Sequence, residues 1–225
     1  MKASRVAIVF ATGLLLGFSI CSSAGENIDF EQRVLVIGNS LTMHGPAPEI
    51  GWTGMWGMAA SAAENDYVSQ LIKLLSERDK PVSWRANRLS SNDLEKTPEK
   101  FRLPVTALQL SRNAALVIIE AGDNVPPTSL EAFAASYLEA LKSLRPPSGI
   151  LVCVSTWWSS PLKDKIIRDN CRVAGGVYVD IARVSNTPEN VAGNERHISH
   201  QGVAAHPGDK GMKVIADRIF NAIRK

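Results

Sequence analysis

The sequence is poor in cysteine and histidine, and after residue 24 it has no hydrophobic run long enough to cross a membrane as a helix. No group among its three cysteines and four histidines has the spacing of a zinc site, so we expect neither a metal nor another cofactor. Blocks of Lys and Arg interleaved with aromatic residues are also missing, which argues against nucleic acid as a partner. The net charge of +3 falls to about +1 without Lys2 and Arg5, so no strongly basic face is expected.

The first residues have the pattern of a secretory signal. Lys2 and Arg5 precede an uncharged apolar stretch over residues 6–20, and the small-residue sequence Cys21-Ser22-Ser23-Ala24 follows it. The apolar stretch is shorter than the roughly 20 residues that a spanning helix needs. We therefore predict a signal peptide over residues 1–24 and no stable membrane insertion after its cleavage.

The mature chain then covers residues 25–225 and is expected to be exported, either to the periplasm or out of the cell. About 200 residues suit one domain with a sizeable core. Lipidation of Cys21 is disfavoured because the bulky Ile20 precedes it. An exported chain permits Cys153 and Cys171 to pair, but Cys153 also fits as a small buried residue, so both interpretations stay open.

Apolar segments that predict strands alternate with segments of helical periodicity. This order predicts right-handed crossovers and a parallel sheet covered by helices on both faces. With the first strand central, the expected fold is a flavodoxin-like, doubly wound α/β/α sandwich with five strands. The predicted strands are residues 33–38, 82–86, 115–121, 149–155 and 176–181, and the predicted helices are residues 67–78, 130–144, 164–172 and 210–223.

A long connection separates the first strand from the first helix. Its roughly 25 residues include Gly51-Trp52-Thr53-Gly54-Met55-Trp56, and so many glycines and tryptophans together are not typical of disorder. Long loops inside compact domains usually have a function. We expect an ordered lid or binding loop.

One serine follows the first predicted strand directly. The run Val34-Leu35-Val36-Ile37 ends at the turn-forming sequence Gly38-Asn39-Ser40. Open α/β sheets bind their ligands in the crevice at this edge, where strands end. Ser40 is therefore a candidate nucleophile, although a serine in such a turn also serves as a local cap.

Two further polar residues are expected at the same edge of the sheet. Asn124 follows the third strand in Gly122-Asp123-Asn124, and His206 lies in the loop before the last helix. A hydroxyl, an imidazole and an amide donor are the groups that acyl transfer needs. Asn124 also fits as a turn residue and His206 as an ordinary loop histidine. His44 is a weaker candidate base because it follows the serine so closely.

Three segments give the chain a resemblance, in order and spacing, to the SGNH (GDSL-like) hydrolases of the secreted bacterial type. They are Gly38-Asn39-Ser40-Leu41, Gly122-x-Asn124 and His206-Pro207. The resemblance covers most of the mature chain. It implies that Ser40 is the nucleophile and that His206 is the general base and then the acid. It also implies that Asn124 and the Ser40 backbone N–H stabilise the oxyanion.

The chain departs from the family pattern at three points. Gly-Asn-Ser stands where Gly-Asp-Ser is usual. The aspartate that usually lies three residues before the histidine is Val203 here, so we expect a Ser-His dyad with a backbone carbonyl or a distant carboxylate as the acceptor for the imidazole. The family's second motif, which follows the second strand, usually supplies a glycine whose N–H binds the oxyanion, but this chain reads Ala86-Asn87-Arg88-Leu89-Ser90-Ser91 there. A backbone N–H from that turn, from Gly54 or from Gly57 would have to take its place.

The expected function is that of an exported serine esterase that removes an acyl group, first of all acetyl, from a carbohydrate. Its partner would be a small-molecule or polysaccharide ester. Trp52 and Trp56 in the long loop, with Trp157 and Trp158 after the fourth strand, are candidate substrate-binding residues because flat apolar rings suit sugars, although such rings equally fill cores. A non-catalytic carbohydrate-binding protein and an O-acyltransferase are the alternatives, and the oligomeric state is left open.

Overall fold

A computed structural model describes residues 31–224 of the chain. The predicted signal peptide, residues 1–24, lies outside the described residues.

The centre of the fold is a sheet of five parallel strands in the order β2-β1-β3-β4-β5. This is the predicted doubly wound topology, which the structure confirms. Gly38 pairs with Ser90 on one side and with Glu120 on the other, so three strands end level with one another. The strands are β1 (Glu31–Gly38), β2 (Ser83–Ser90), β3 (Leu116–Glu120), β4 (Ile150–Val154) and β5 (Val177–Val179).

Eight helices surround this sheet within residues 31–224, and four of them are long enough to cover it. None of the eight is both long enough and apolar enough to cross a membrane. The helices are α1 (Tyr67–Arg78), α2 (Asn92–Lys96), α3 (Val105–Arg112), α4 (Leu130–Leu144), α5 (Pro161–Val173), α6 (Ala192–Glu195), α7 (Gln201–Ala204) and α8 (Asp209–Ala222).

The core has two halves because successive side chains of a strand point to opposite faces. Val34 and Val36 of β1 pack beneath α1 and α8, whereas Leu35 and Ile37 pack beneath α4 and α5. Every residue of β3 is buried, as expected for a strand that is covered on both faces. The two layers of helices leave the carboxyl edge of the sheet open for loops.

The predicted bounds are wrong for β2 and incomplete for the helices. We predicted a second strand over residues 82–86, but β2 continues to Ser90 as a half-buried edge strand. Beyond residue 86 the strand reads Asn-Arg-Leu-Ser, in which one apolar residue among three polar ones gives no strand pattern. α2 and α3 were not predicted, because α2 has only five residues and the apolar pattern of α3 covers barely two turns.

A disulfide joins Cys153 in β4 to Cys171 in α5, with their Cα atoms 6.0 Å apart. Both residues are fully buried. The sequence left this pairing open, because Cys153 also fitted a plain core position.

Candidate active site

The serine turn begins where β1 comes too close to its own continuation for a side chain to fit. A Cβ on Gly38 would lie 1.9 Å from the Thr42 hydroxyl oxygen, so glycine is required there. The Asn39 side-chain oxygen then accepts the Leu41 N–H at 2.9 Å, and the Asn39 carbonyl accepts the Thr42 N–H at 3.1 Å. These bonds close a tight turn that carries Ser40 at the end of β1.

The Ser40 hydroxyl lies 2.8 Å from Nε2 of His206, although 166 positions separate the two residues. The other ring nitrogen, Nδ1, lies 2.7 Å from the carbonyl oxygen of Gly202. A carbonyl oxygen can only accept, so Nδ1 carries the proton and Nε2 is left with a free lone pair. Nε2 is therefore the acceptor for the hydroxyl proton of Ser40.

The acceptor for the imidazole is a main-chain atom near the end of α7. The last carbonyls of a helix have no partner within the helix, and the Gly202 carbonyl is used here by His206. Val203, at the position of the usual aspartate, is buried in an apolar cluster with Trp52 and Met58. Of the two kinds of acceptor left open by the sequence, the structure shows the backbone carbonyl.

Burial lowers the pKa of His206 to about 4. The imidazole is 7% exposed, and Trp158 covers it edge-on with the two ring centres 4.9 Å apart. The bond to Gly202 acts in the opposite direction, and the charge of His44 adds a small lowering. At neutral pH the ring is therefore uncharged, as a general base must be.

Asn124 lies exposed at the rim of the cavity that also holds Ser40. Its side-chain nitrogen donates to Glu95 at 3.3 Å, which leaves one of its two N–H groups free. The Ser40 backbone N–H has no hydrogen-bond acceptor within residues 31–224. The two donors that the resemblance implies for the oxyanion are thus both present at this edge.

The donor of the second motif is not among the glycines considered from the sequence. The Gly57 N–H donates to Asp66 at 3.2 Å, and Gly54 lines a different cavity. The Ser91 N–H is also occupied, since it donates to the Gly38 carbonyl at 2.8 Å. None of these three groups is available to a substrate as the structure stands.

A group of carboxyls that the sequence did not reveal lies behind the serine turn. The Asn39 side-chain nitrogen donates to Glu120 at 2.9 Å and to Asp123 at 3.3 Å, with Glu95 at 3.5 Å. Burial, followed by the charges of Asp123 and Glu95, raises the pKa of Glu120 well above its usual range. Burial also raises the pKa of Asp123 to about 7. The side-chain amide of Asn39 therefore supplies N–H donors to these three buried carboxyl groups.

These carboxyls do not form a metal site. Within the described part of the chain, no group of three or more His, Cys, Asp or Glu residues is arranged to hold a metal ion. The oxygens of Glu95, Glu120 and Asp123 instead accept from N–H and O–H donors of the surrounding turns.

The cavity above Ser40 has a volume of about 450 Å³ and is lined by polar, apolar and basic residues, with no acidic one among them. Trp158 forms part of its wall and is 38% exposed. The prediction for the neighbouring Trp157 is wrong, because Trp157 is fully buried and its indole N–H donates to the Ala205 carbonyl at 2.9 Å. The other lining residues are Asn39, Met43, His44, Ile50, Met58, Ser90, Asn92, Lys96, Asn124, His200, Gly202, Val203, Ala205 and His206.

Trp52 and Trp56 lie outside this cavity and line a second one of about 320 Å³. Their rings meet edge to face with centres 5.5 Å apart, and both indole N–H groups are bonded to carbonyls of the same loop. Val203 lines both cavities. The two tryptophans therefore line a neighbouring cavity and do not line the cavity above Ser40.

The loop over residues 43–66 is ordered, as predicted, and an ion pair anchors it. Arg88 of β2 donates to both carboxylate oxygens of Asp66, which is fully buried, and also to the Thr42 carbonyl. Asp66 in turn accepts the backbone N–H groups of Gly57 and Ser69. The Arg88–Asp66 pair thus connects the loop, the start of α1 and the end of the serine turn.

No protein-family model matches the sequence, and no curated protein matches it either. Solved structures do resemble the fold. Esterase EstA from Pseudoalteromonas sp. aligns over 86% of this chain and 97% of its own, with 11% identity and a TM-score of 0.55. A protein from Bacteroides uniformis assigned as a GDSL-like lipase aligns over 86% and 95%, with 14% identity and a TM-score of 0.54.

A two-domain esterase active on acetylated mannans has a TM-score of 0.57 and 14% identity to this chain. The alignment covers 85% of this chain and 48% of that esterase. At such identities these likenesses establish a shared fold.

Proposed function

Because the chain has the fold of the SGNH (GDSL-like) hydrolases, we propose that it is a serine ester hydrolase in which Ser40 and His206 form the catalytic dyad. The observation that carries this proposal is the 2.8 Å distance between the Ser40 hydroxyl and Nε2 of His206 at the floor of a cavity. The tautomer fixed by the Gly202 carbonyl gives Nε2 the role of proton acceptor.

The reaction follows from this arrangement. As Ser40 Oγ attacks the ester carbonyl, its proton passes to Nε2 of His206, and the carbonyl oxygen gains the negative charge. In this proposal the Ser40 N–H and the second N–H of the Asn124 side chain, both at the same cavity, stabilise that oxyanion. His206 then gives the proton to the leaving alcohol. A water molecule, deprotonated by the same nitrogen, releases the acid and restores the serine.

A carbonyl acceptor keeps part of what an aspartate would provide. In the serine proteases, replacing the triad aspartate by asparagine lowers kcat about 10⁴-fold because the imidazole takes the wrong tautomer. The Gly202 carbonyl enforces the correct tautomer of His206. What is lost is the negative charge that would stabilise the imidazolium, so His206 is a correctly oriented but weak base, in agreement with its lowered pKa.

Acetyl esters of carbohydrates are the substrate class we propose. The exposed ring of Trp158 provides a flat apolar wall beside the dyad, and polar side chains from Asn92 and Lys96 line the same cavity. A protein of the same fold is described as active on acetylated mannans. A polysaccharide such as an acetylated mannan is therefore a reasonable first substrate.

Export from the cytoplasm is also part of the proposal. The first 24 residues have the pattern of a secretory signal, and the Cys153–Cys171 disulfide suits an oxidising compartment. Expression of the full chain in a bacterium with a periplasm, followed by intact-mass measurement of the periplasmic protein, should give a chain that begins at Gly25. A full-length mass, or a protein retained in the cytoplasm, would contradict export.

The nucleophile is tested with p-nitrophenyl acetate and a fluorophosphonate probe. The purified chain from Gly25 should hydrolyse the ester and be labelled by the probe, and S40A should lose both, with kcat lower by at least about 10⁴-fold. S159A is the matched control, because Ser159 is exposed near the same edge and has no imidazole partner. A wild-type protein that neither hydrolyses the ester nor reacts with the probe would contradict the hydrolase function and favour the non-catalytic carbohydrate-binding alternative.

The substrate class needs a separate comparison. With p-nitrophenyl esters from acetyl to decanoyl, the acetyl ester should give the highest kcat/KM. Acetylated manno-oligosaccharides should release acetate when wild-type protein is added and not when S40A is added. A preference for the decanoyl ester would replace the carbohydrate by a lipid substrate while leaving the dyad in place.

A further inference from the structure

The segment that carries Asn124 depends on one buried carboxylate from another part of the chain. Glu95, in α2, is fully buried and accepts the Gly122 N–H at 2.6 Å and the Asn124 N–H at 3.2 Å through Oε1. Its second oxygen, Oε2, accepts the Asn124 side-chain N–H at 3.3 Å and the Ser91 hydroxyl at 2.8 Å. Both the backbone and the side chain of Asn124 are thus held by a single group.

Within residues 31–224, Asn124 hydrogen-bonds only to Glu95. The adjacent Asp123 is held separately, by the Asn39 side chain, by the Trp157 and Trp158 N–H groups and by Lys163. Gly122 has a φ of +144°, which favours glycine, and the only backbone bond inside the loop joins the Val125 N–H to the Gly122 carbonyl at 3.2 Å. Asn124 itself is exposed, so without Glu95 its side chain would be free to change rotamer. An oxyanion donor that moves between rotamers would have to be ordered during each catalytic cycle.

We propose that Glu95 is a positioning residue that presents Asn124 to the oxyanion, an inference that rests on the serine hydrolase function proposed above. By accepting one N–H of the Asn124 amide, Glu95 fixes the plane of that amide and directs the other N–H towards the cavity. α2 follows β2 directly, in the region where the family usually has an oxyanion glycine that this chain lacks. This chain uses that segment to supply the acceptor that holds Asn124.

Two effects of Glu95 oppose each other, and they can be separated. Its negative charge close to Asn124 disfavours a second negative charge on the substrate oxygen, whereas its hydrogen bonds preorganise the donor. A buried carboxylate destabilises the folded state unless its oxygens accept hydrogen bonds. The buried position of Glu95 therefore favours the second effect. Removal of the charge should therefore slow the reaction, while a dominant charge effect would accelerate it.

E95Q tests this with little change in shape. A glutamine that keeps its oxygen at the Oε1 position still accepts the Gly122 and Asn124 backbone N–H groups, but its NH₂ group then faces the NH₂ group of the Asn124 side chain. The loop keeps its backbone bonds, and the Asn124 amide loses its partner. We expect kcat for p-nitrophenyl acetate to fall by about 10- to 100-fold, which is less than the roughly 10²- to 10³-fold loss typical of a deleted oxyanion donor because Asn124 is still present, with KM changed less than about 2-fold.

A double-mutant cycle with N124A distinguishes positioning from a structural role. If Glu95 acts through Asn124, E95Q should lower kcat strongly in the wild type and by less than about 2-fold in the N124A background. The melting temperature should decrease on E95Q in both backgrounds. D93N is the matched control, since Asp93 lies on the same helix, is exposed and makes no side-chain bond to the loop, and it should leave kcat unchanged.

Equal losses of kcat on E95Q in both backgrounds would overturn the inference, as would an E95Q enzyme with wild-type kcat. These results differ from a failure of the hydrolase function, in which the wild type would already be inactive or S40A would retain activity. That result would remove the basis of both proposals. If instead the wild type is active, S40A is inactive and the double-mutant cycle is additive, only the positioning role of Glu95 is rejected.

Discussion

Nδ1 of His206 donates its proton to the carbonyl oxygen of Gly202, 2.7 Å away and four residues earlier in the chain. The second nitrogen of the same ring faces the Ser40 hydroxyl at 2.8 Å. The short helix α7 ends two residues before the histidine, and its Gly202 carbonyl orients the ring. The consequences for pH dependence and for mutation follow from this local arrangement.

The first prediction concerns the acid limit of activity. Because burial lowers the pKa of His206 to about 4, kcat/KM should be constant from neutral pH down to about pH 5 and should then fall through an apparent pKa near 4. A pH profile with p-nitrophenyl acetate measures this. W158A, which uncovers the ring, should move the inflection upward, towards the 6.5 of an exposed histidine. A wild-type inflection at 6.5 would contradict the prediction.

The same lowered pKa affects stability. Between pH 6.5 and about 4 the unfolded state binds a proton at His206 that the folded state does not, so its contribution is present above pH 6.5 and is lost as the pH falls through about 4. The free energy of unfolding of H206Q should depend less on pH in this window than that of the wild type. Chemical denaturation at pH 7 and pH 4.5 tests this.

A second prediction is that the usual family residue at position 39 harms this protein. N39D places a further carboxyl against Glu120 and Asp123 and removes the N–H donor between them. We expect a loss of about 1–3 kcal/mol in the free energy of unfolding at pH 8. The loss should shrink as the pH falls and the carboxyls become protonated. Thermal and urea unfolding at pH 8 and at acid pH measure this loss of stability.

E120Q supplies the control for N39D. In the N39D/E120Q double variant, a glutamine NH₂ replaces the Asn39 NH₂ as the donor across the same 2.9 Å contact. Most of the lost stability and activity should return. A double variant that is as unstable as the sum of its single changes would show that position 39 acts through its size or its backbone and not through this hydrogen bond.

The third prediction concerns the buried ion pair of Arg88 and Asp66. R88A would leave the fully buried Asp66 carboxylate without its cation, at a cost of about 3–5 kcal/mol in the free energy of unfolding. D217N is the matched control, because it breaks the exposed pair with Lys213 in α8 and should cost less than about 0.5 kcal/mol. Similar urea midpoints for the two variants would contradict the anchoring role.

The two adjacent tryptophans should have opposite effects when they are replaced. W157A removes a fully buried side chain and should cost about 3–5 kcal/mol of stability. W158A removes an exposed wall of the cavity and should change the melting temperature little while raising KM for acetylated oligosaccharides about 10-fold. KM for p-nitrophenyl acetate is the internal control, since that small ester does not need a sugar wall.

The sequence was informative where the chemistry leaves a periodic or positional pattern. The helix predicted over residues 67–78 has the bounds of α1, because its apolar spacing and the Asp66 cap agree. Ser40 and His206 were predicted to meet because Ser40 follows the end of a strand and His206 lies in the loop before the last helix, and such loops converge at the carboxyl edge of a parallel sheet. That expectation needed the order of the strands but no knowledge of side-chain contacts.

Other parts of the site leave no such pattern. Any residue can offer a backbone carbonyl, so the Gly202 acceptor could not be read from residue types. Glu95 was overlooked because it and Asp93 are two acidic residues in a short polar segment, a pattern typical of a solvated surface. Trp157 and Trp158 follow the end of β4, where strand alternation no longer decides which of two neighbours is buried.

The side chain of Val203 and the carbonyl of Gly202 are neighbours that face different structures. Val203 packs into the cluster beneath the loop of residues 43–66, while Gly202 holds the imidazole. Engineering that loop for a new substrate will therefore shift the catalytic base unless α7 is transferred with it. Because Val203 joins the loop to α7, libraries that vary the loop and α7 together should yield more active variants than libraries that vary either one alone.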